Sequence, residues 1–242
     1  MARRRVSLPR MQGRPHLPTI ALVNPKGGAG KTTLALVLGT ALADRGASVT
    51  LVDADPNQPL TSWSKLGAVP AGLDVATDVN EDTIIDTIET AAARSAFVIV
   101  DLEGTASVMV NYAISRANLA LIPLQGSQLD ASQATRAIKL IRKVNRGFGA
   151  RVDYALVFTR TSKAIRPRTF RHSESERHQH EIPVLPTHLF EREAYKALFS
   201  VGGTLNTLTL KEASNLDAAR ANAASLVKDV IERLRHAARE AA

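Results

Sequence analysis

Residues 24–33 read Asn-Pro-Lys-Gly-Gly-Ala-Gly-Lys-Thr-Thr and lie between two apolar runs, TIALV at 19–23 and LALVL at 34–38. The first run has the length of a buried strand, and the second begins a helix. A glycine-rich loop in this setting binds phosphate, because its backbone N–H groups point into one concavity and the helix N-terminus adds partial positive charge. The stretch therefore predicts a site for a nucleotide polyphosphate.

Two side chains of this loop have predicted chemical roles. Lys31 would reach the β- and γ-phosphates as a point charge, and the Thr32 hydroxyl would be a ligand of Mg²⁺. The usual first glycine of the motif is replaced by Pro25, which Lys26 follows. A glycine turn without a ligand is the alternative, but such a turn does not require two lysines and a following threonine. The predicted nucleotide-binding residues are Gly27, Gly28, Ala29, Gly30, Lys31, Thr32 and Thr33.

The two lysines in KGGAGKTT form a deviant Walker A motif, and here the sequence resembles the ParA/MinD family of dimerising P-loop ATPases. The resemblance covers nearly the whole chain after Thr19 and is strongest at this motif and at VTLVDADPNQPLTSW, residues 49–63. It implies that ATP and Mg²⁺ are the cofactors and that ATP joins two copies of the chain. It also implies that Lys26 is catalytic and reaches across the homodimer to the partner's nucleotide.

The second motif is Asp53-Ala54-Asp55-Pro56, at the end of the apolar run ASVTLV. Carboxylates at the carboxyl end of a parallel strand lie beside the ligand crevice of an open α/β sheet. By resemblance to the family, Asp55 is catalytic and orients or deprotonates the attacking water, while Asp53 supports the Mg²⁺ site or its water shell. An Asx-turn that merely ends the strand is the alternative.

A third motif ends the run Ala96-Phe97-Val98-Ile99-Val100-Asp101, and its aspartate matches a Walker B, which holds Mg²⁺ through water. The commonest family form continues Asp-Thr-Pro-Pro, whereas this chain continues with Leu102, Glu103 and Gly104, as in the shorter plasmid-partition ParA proteins. We expect Gly104 to give the segment freedom to respond to the γ-phosphate, and we assign Glu103 no catalytic role.

Length and composition favour one domain. At 242 residues, with strands alternating with helices, the chain predicts a doubly wound, mostly parallel α/β sheet flanked by helices over residues 19–242, with a helix at its C-terminal end. Further strands are expected at 118–124, 154–159 and 182–186, and a helix at 127–144. Residues 1–18 are rich in arginine and contain no acidic residue, which predicts a disordered arm that contacts DNA phosphates. The alternatives are a solubilising tail and a start codon assigned too far upstream.

Cysteine and membrane signals are missing from the sequence. With no cysteine, disulfides and iron–sulfur clusters are excluded. No apolar run approaches the roughly 18 residues of a membrane helix, and the N-terminus lacks the apolar core of a signal peptide. We therefore expect a cytoplasmic protein without membrane contact.

Positive charge is concentrated between Arg136 and Arg171, where eleven cations stand against the single acid Asp153. A helix face that is merely solvated normally carries both positive and negative charges, so we favour a surface that binds phosphates over a surface without a ligand. No base-reading motif is present, which indicates non-specific, salt-sensitive DNA binding and association with the nucleoid. The candidate DNA-binding residues are Arg136, Lys139, Arg142, Lys143, Arg146, Arg166, Arg168 and Arg171.

Taken with the resemblance, these patterns predict a ParA-type ATPase for plasmid or chromosome partition. Its turnover would be slow and stimulated by a ParB-like centromere-binding partner, and hydrolysis would release the DNA. Three alternatives stay open: a MinD-like or cargo-positioning regulator, an accessory ATPase of conjugation or T-DNA transfer, and a metabolic P-loop enzyme. The second rests on similarity to the ParA-like T-DNA transfer protein of Agrobacterium around DADPNQPLTSW and residues 188–193. For the first, segment 226–235 is the candidate membrane helix, but we expect it to pack on the protein's own sheet.

Overall fold

The structure is a computed structural model that describes residues 18–67, 69–104, 107–125, 128–161 and 182–240. All but the last residue of the predicted N-terminal arm lies outside the described residues. The same holds for three predicted DNA-binding candidates, which are Arg166, Arg168 and Arg171.

The described residues form seven strands and seven helices that alternate along most of the chain. The strands are β1 (Thr19–Leu22), β2 (Val49–Ala54), β3 (Leu73–Ala76), β4 (Phe97–Leu102), β5 (Leu119–Leu124), β6 (Asp153–Thr161) and β7 (Leu189–Phe190). The helices are α1 (Lys31–Ala43), α2 (Pro59–Ser64), α3 (Ile84–Arg94), α4 (Val108–Ser115), α5 (Gln128–Phe148), α6 (Glu193–Val201) and α7 (Leu216–Glu240).

All seven strands join one sheet in the order β3-β2-β4-β1-β5-β6-β7, and each neighbouring pair is parallel. Parallel pairs need crossover connections, which helices α1 to α5 supply between successive strands from β1 to β6. Because β1 lies between β4 and β5, the loop that follows β1 emerges at the centre of the carboxyl edge of the sheet. The predicted doubly wound fold is confirmed.

Side chains of the central strands divide between two apolar cores, one on each face of the sheet. Ile20 and Leu22 of β1 enter the core that includes α1, α6 and α7, whereas Ala21 and Val23 enter the core that includes α3, α4 and α5. This alternation follows from the two-residue period of a strand. Since both faces are covered, the strands are apolar almost throughout, as parallel strands buried on both faces must be.

Two predicted elements differ from the structure. The helix expected to end at residue 144 continues to Phe148. The strand expected at 182–186 is wrong in extent, because only Val184 forms a single parallel bridge, with Leu156. Pro183 and Pro186 have no N–H to donate to a strand ladder, so regular pairing resumes only at β7.

The C-terminal helix α7 packs within the domain, as predicted. Its apolar side chains Leu226, Val227, Val230 and Leu234 are buried in the core that also contains the apolar face of α1. Among the described residues, no helix combines the length and the apolar character needed to cross a membrane.

The single tryptophan of the chain, Trp63, is also buried, as expected for a core residue. It lies on α2, and its indole Nε1 donates to the carbonyl oxygen of Gly203 at 3.2 Å. The short helix that follows the Asp53–Asp55 segment is thereby fastened to the chain segment after α6.

Candidate functional site

The glycine-rich loop turns sharply where it enters α1. Gly30 immediately precedes the helix and has a φ of 91°, in the left-handed region that favours glycine. A Cβ at this position would also lie only 3.3 Å from the Thr159 side chain on β6. The left-handed backbone therefore requires glycine here, and the Thr159 side chain leaves little room for a Cβ.

Side-chain hydrogen bonds from three strand ends hold the loop in place. The Asn24 amide, after β1, donates from Nδ2 to the Pro123 carbonyl oxygen at 2.6 Å and accepts the Lys26 backbone N–H at Oδ1 at 2.8 Å. After β5, Gln125 Nε2 donates to the Gly28 carbonyl oxygen at 2.7 Å. Neither Asn24 nor Gln125 was predicted to have a role, although both follow the carboxyl ends of strands beside the crevice, a position that could have indicated one.

Thr159 on β6 makes the third attachment. Its buried hydroxyl Oγ1 lies 2.7 Å from the Ala29 carbonyl oxygen, to which it donates, and 3.2 Å from that of Leu124. Ala29, a residue of the loop, is itself buried. Thr159 thus supports the loop from below, a role that the sequence did not indicate.

A cavity of about 370 Å³ opens above the loop. It brings together most of the predicted nucleotide-site residues, although these come from separate parts of the chain. Its lining consists of Gly27, Gly28, Gly30, Lys31, Thr32, Thr33, Asp55, Pro56, Asn57, Glu103, Gly104 and Arg160. Lys26 is not among the described residues that line it, so the two lysines of the loop are placed differently.

The Lys31 side chain is buried and curls back over the loop. Its ammonium Nζ donates to the carbonyl oxygen of Asn24 at 3.3 Å and lies 3.5 Å from that of Lys26. Burial lowers the pKa of Lys31, and the negative charges of Asp101, Asp55 and Glu103 oppose that shift. A phosphate in the cavity would supply a stronger anionic partner than these backbone carbonyls.

Asp101, at the end of β4, is fully buried and pairs in register with Asp53 on β2. Burial raises the pKa of Asp101 to about 7, while the Thr32 hydroxyl and the Lys31 ammonium oppose the rise. Neither carboxylate oxygen has a well-formed hydrogen bond to another described residue. Two buried acceptor oxygens without donors fit a hydrated Mg²⁺, whose waters would donate to them.

Asp53 has a structural role in addition to the predicted one. Its Oδ2 accepts the Thr61 backbone N–H at 2.7 Å and the Thr61 hydroxyl at 2.8 Å, which ties α2 to the site. Its Oδ1 is buried and has no hydrogen-bond partner among the described residues. Burial raises the pKa of Asp53, and the bonds from Thr61 oppose that rise.

Asp55 combines the two interpretations drawn from the sequence. Its Oδ1 accepts both the backbone N–H and the side-chain Nδ2 of Asn57 at 2.9 Å, which is an Asx-turn. The residue also lines the cavity. The Asx-turn therefore holds Asp55 at the cavity wall, so the turn and the predicted role in the site are compatible.

Gly104 owes its identity to a close contact. A Cβ at this position would lie 3.1 Å from the Gly27 nitrogen and 3.3 Å from the Lys26 carbonyl carbon. The segment after β4 thus lies directly against the glycine-rich loop. Tight packing gives a more direct reason for glycine than the freedom of movement that we expected from the sequence.

A second cavity, also of about 370 Å³, adjoins the first and shares Gly30, Thr33 and Arg160 with it. Its walls include the aromatic side chains Phe190, Tyr195 and Phe199. Arg160, between the two cavities, has a φ of 51°, where the register of β6 against β7 is irregular. Together the cavities form a groove of the kind that a phosphate group joined to a planar ring could fill.

Asn222, buried on α7, holds the wall of this second cavity. Its Oδ1 accepts the Phe190 backbone N–H at 3.2 Å and the Tyr195 hydroxyl at 3.0 Å, and its Nδ2 donates to the His188 carbonyl oxygen at 2.8 Å. Burial raises the pKa of Tyr195 to about 12, so its hydroxyl stays protonated as a donor. This role of Asn222 was not predicted from the sequence.

Helix α5 presents a basic surface close to the loop. Its inner face is buried through residues such as Ala137 and Ile141, and its outer face is polar. None of its exposed cations forms an ion pair with a residue in the described part of the chain. They are five of the predicted DNA-binding residues: Arg136, Lys139, Arg142, Lys143 and Arg146.

Comparisons with known proteins identify the family. The model of the VirC1 protein family matches residues 17–239. The chain belongs to the VirC1 family. The ParA protein of Rhizobium radiobacter is 39% identical to this VirC1-family chain over 223 residues, which are 92% of the chain and 100% of the relative. The virC1 protein of the same organism is 29% identical over 182 residues, 72% of the chain and 76% of the relative.

A solved structure agrees on the fold of the VirC1-family chain. A plasmid partition protein of Borrelia burgdorferi, determined with AMPPNP bound, superposes with a TM-score of 0.65 at 16% identity. The match covers 89% of this chain and 99% of that one. The predicted membership of the ParA/MinD family is confirmed by the family model and by the ParA relative that is 39% identical.

Proposed function

We propose that this VirC1-family ATPase partitions DNA in the manner of ParA proteins, using ATP binding to assemble a DNA-binding homodimer. The polyphosphate would occupy the loop cavity, where Lys31 exchanges backbone carbonyls for phosphate oxygens. The base would lie in the adjoining cavity, between the aromatic side chains and Arg160. The Ala29 backbone, a part of the loop that Thr159 holds, would help to shape the cradle.

Mg²⁺ would be held by the Thr32 hydroxyl and, through water, by Asp101 and Asp53. When bound, it would neutralise charge that develops on the phosphate oxygens. The unpaired buried oxygens of the two aspartates support this assignment. Asp55, held at the cavity wall by its turn, would orient the attacking water or take its proton.

The observation that carries the dimer proposal is the separation of the two loop lysines. Lys31 lines the cavity of its own chain, whereas Lys26 is absent from the described lining although it lies five residues away. Lys26 would instead contact the nucleotide of the partner subunit. ATP would then be buried between two subunits and would join them.

The exposed cations of α5 would bind DNA phosphates. Five cations without ion pairs in the described residues form an electrostatic surface with no base-reading element, which supports non-specific binding. Dimerisation would double this surface and raise its affinity through two linked contacts. Slow hydrolysis, accelerated by a ParB-like partner on the cargo DNA, would separate the subunits and release the nucleoid.

The test is DNA co-sedimentation with no nucleotide, with ADP and with ATP, over a salt series. We expect binding only with ATP, and a steep fall in affinity as salt rises. Lys31→Ala should abolish the ATP effect, and Lys26→Ala should retain ATP binding but remain monomeric in light scattering. ATP-independent DNA binding, or a dimeric Lys26→Ala variant, would contradict the proposal.

A matched pair of charge reversals tests the DNA surface. Lys139→Glu with Lys143→Glu should lower the salt slope and the DNA affinity, because it replaces two phosphate contacts with repulsion. Lys211→Glu with Lys228→Glu makes the same change in net charge at exposed positions elsewhere and should leave DNA binding nearly unchanged. Equal losses from both pairs would show that only net charge matters.

A second candidate, an accessory ATPase of DNA transfer, is favoured by the VirC1 family match. Both functions would use the same ATP-dependent DNA binding. Deleting the gene and measuring plasmid inheritance and conjugation frequency separately would distinguish them. Partition requires loss of inheritance, whereas an accessory role in transfer requires loss of conjugation alone.

A further inference from the structure

Glu103 lies where the chain leaves β4, two residues after Asp101. It directly follows Leu102, the last residue of β4, at the carboxyl edge of the sheet where the crevice lies, and it borders both the phosphate cavity and a neighbouring cavity beside α5. The residue lines the phosphate cavity together with Asp55. Gly104, its neighbour, is packed against the Gly27 backbone, which fixes the distance between Glu103 and the phosphate loop.

The carboxylates around the cavity differ in what they already bind. Asp53 accepts two hydrogen bonds from Thr61, and Asp55 accepts two from Asn57. Glu103 is half-buried and makes no hydrogen bond or ion pair with the residues that the structure describes. Its charge nevertheless reaches the site, because it is one of the three that counter the lowered pKa of Lys31.

Contrary to the expectation from the sequence, which gave Glu103 no catalytic role, we propose that Glu103 is a catalytic residue, which accepts a hydrogen bond from the attacking water and directs its lone pair at the γ-phosphorus. This inference rests on the ATP hydrolysis proposed above. As the water oxygen bonds to phosphorus, the bond from phosphorus to the β–γ bridging oxygen breaks, and that oxygen leaves on ADP. The proton lost by the water leaves with inorganic phosphate or passes to solvent.

The different roles of the Asp55 and Glu103 carboxylates follow from the hydrogen bonds that each one makes. Asp55 is held by its turn after β2, whereas Glu103, after the neighbouring strand β4, carries a longer side chain whose acceptor oxygens are not engaged by the described residues. Two acceptors can fix both protons of one water and so limit its orientation. Positioning of a nucleophile in this way contributes a factor of about 10² or more to the rate.

The test compares Glu103→Gln with the unmodified protein. We expect kcat for ATP hydrolysis to fall by about 10- to 100-fold, because the amide offers one acceptor and a donor that misorients the water. Affinity for a fluorescent, non-hydrolysable ATP analogue should be unchanged. In consequence, DNA bound with ATP should be released more slowly after dilution. Glu81→Gln, the same change at an exposed position outside the site, should leave all three measurements unchanged.

Other outcomes would overturn the inference in distinguishable ways. Unchanged kcat in Glu103→Gln, with normal hydrolysis by the unmodified protein, would remove Glu103 from catalysis and leave the proposed function intact. Tighter analogue binding without loss of kcat would instead make Glu103 a source of repulsion towards the γ-phosphate. Absence of hydrolysis by the unmodified protein would overturn both proposals. Glu103→Asp keeps the charge and shortens the reach; it should lose part of kcat, and full activity would contradict the proposal.

Discussion

Replacing Asp101 with asparagine should stabilise the protein above about pH 7 when Mg²⁺ and nucleotide are absent. Burial raises the pKa of Asp101 in the folded protein from 3.8 to about 7. The folded protein therefore keeps this proton over a range in which the unfolded chain has released it. The contribution of Asp101 to stability is present below the unfolded pKa and is lost as the pH rises to about 7.

The size of the effect follows from that interval. Between pH 5 and pH 7, two pH units at about 1.4 kcal/mol each lower the unfolding free energy by roughly 3 kcal/mol. Asparagine does not titrate, so the advantage of Asp101→Asn should grow by that amount between pH 5 and pH 8. The Lys31 charge is already among the causes that set this pKa, so we expect an observed increase of about 2 to 3 kcal/mol.

Urea unfolding of both proteins in EDTA at several pH values measures this difference. Asp74→Asn, the same substitution at an exposed residue of β3, is the control and should show no pH-dependent gain. Saturating ATP with Mg²⁺ should stabilise the unmodified protein by about 3 kcal/mol at 100-fold excess over Kd, and the variant by much less. A difference in unfolding free energy between the two proteins that does not change with pH, or a variant that is less stable than the unmodified protein at pH 8, would refute the reasoning.

Three further substitutions test the supports of the site. Gly104→Ala should weaken ATP-analogue binding about tenfold, because its Cβ would displace the phosphate loop, while Gly147→Ala, which meets no atom within 4 Å, should not. Thr159→Val removes the donor to the Ala29 carbonyl at nearly constant side-chain volume. It should lower the free energy of urea unfolding by about 1 to 3 kcal/mol and also weaken binding of the ATP analogue. A loss of stability without weaker binding would contradict the role of Thr159 in supporting the loop. Asn222→Ala should lower the free energy of unfolding by roughly 2 to 3 kcal/mol. It should also weaken the affinity for ATP more than the affinity for inorganic triphosphate, because it loosens β7 and not the phosphate loop. Equal losses of the two affinities would contradict this prediction.

The sequence predicted the parts of the site that lie close together along the chain. Residues 27–33 and the three strand-end aspartates follow from local patterns, because a glycine-rich turn and an apolar run ending in a carboxylate are visible within a few residues. The fold follows from the same alternation of strands and helices. These features required no knowledge of distant contacts.

The supports of the site could not be predicted because they join distant residues. Asn24 and Pro123 are 99 positions apart, and Thr159 and Ala29 are 130 apart. Gly104 was noticed in the sequence, but the contact that requires glycine there exists only once β4 lies beside β1. Asn222 resembles any polar residue of an amphipathic helix until α7 packs against β7.

The position of Trp63 makes the protein suited to label-free spectroscopy. The only indole of the chain is buried on the helix that Asp53 anchors through Thr61, and its N–H reaches the segment after α6. Its emission therefore reports on the helix next to the nucleotide cavity without competing signals from other indoles. Stopped-flow fluorescence can follow movement of that helix when nucleotide is added, with no dye that could disturb the protein.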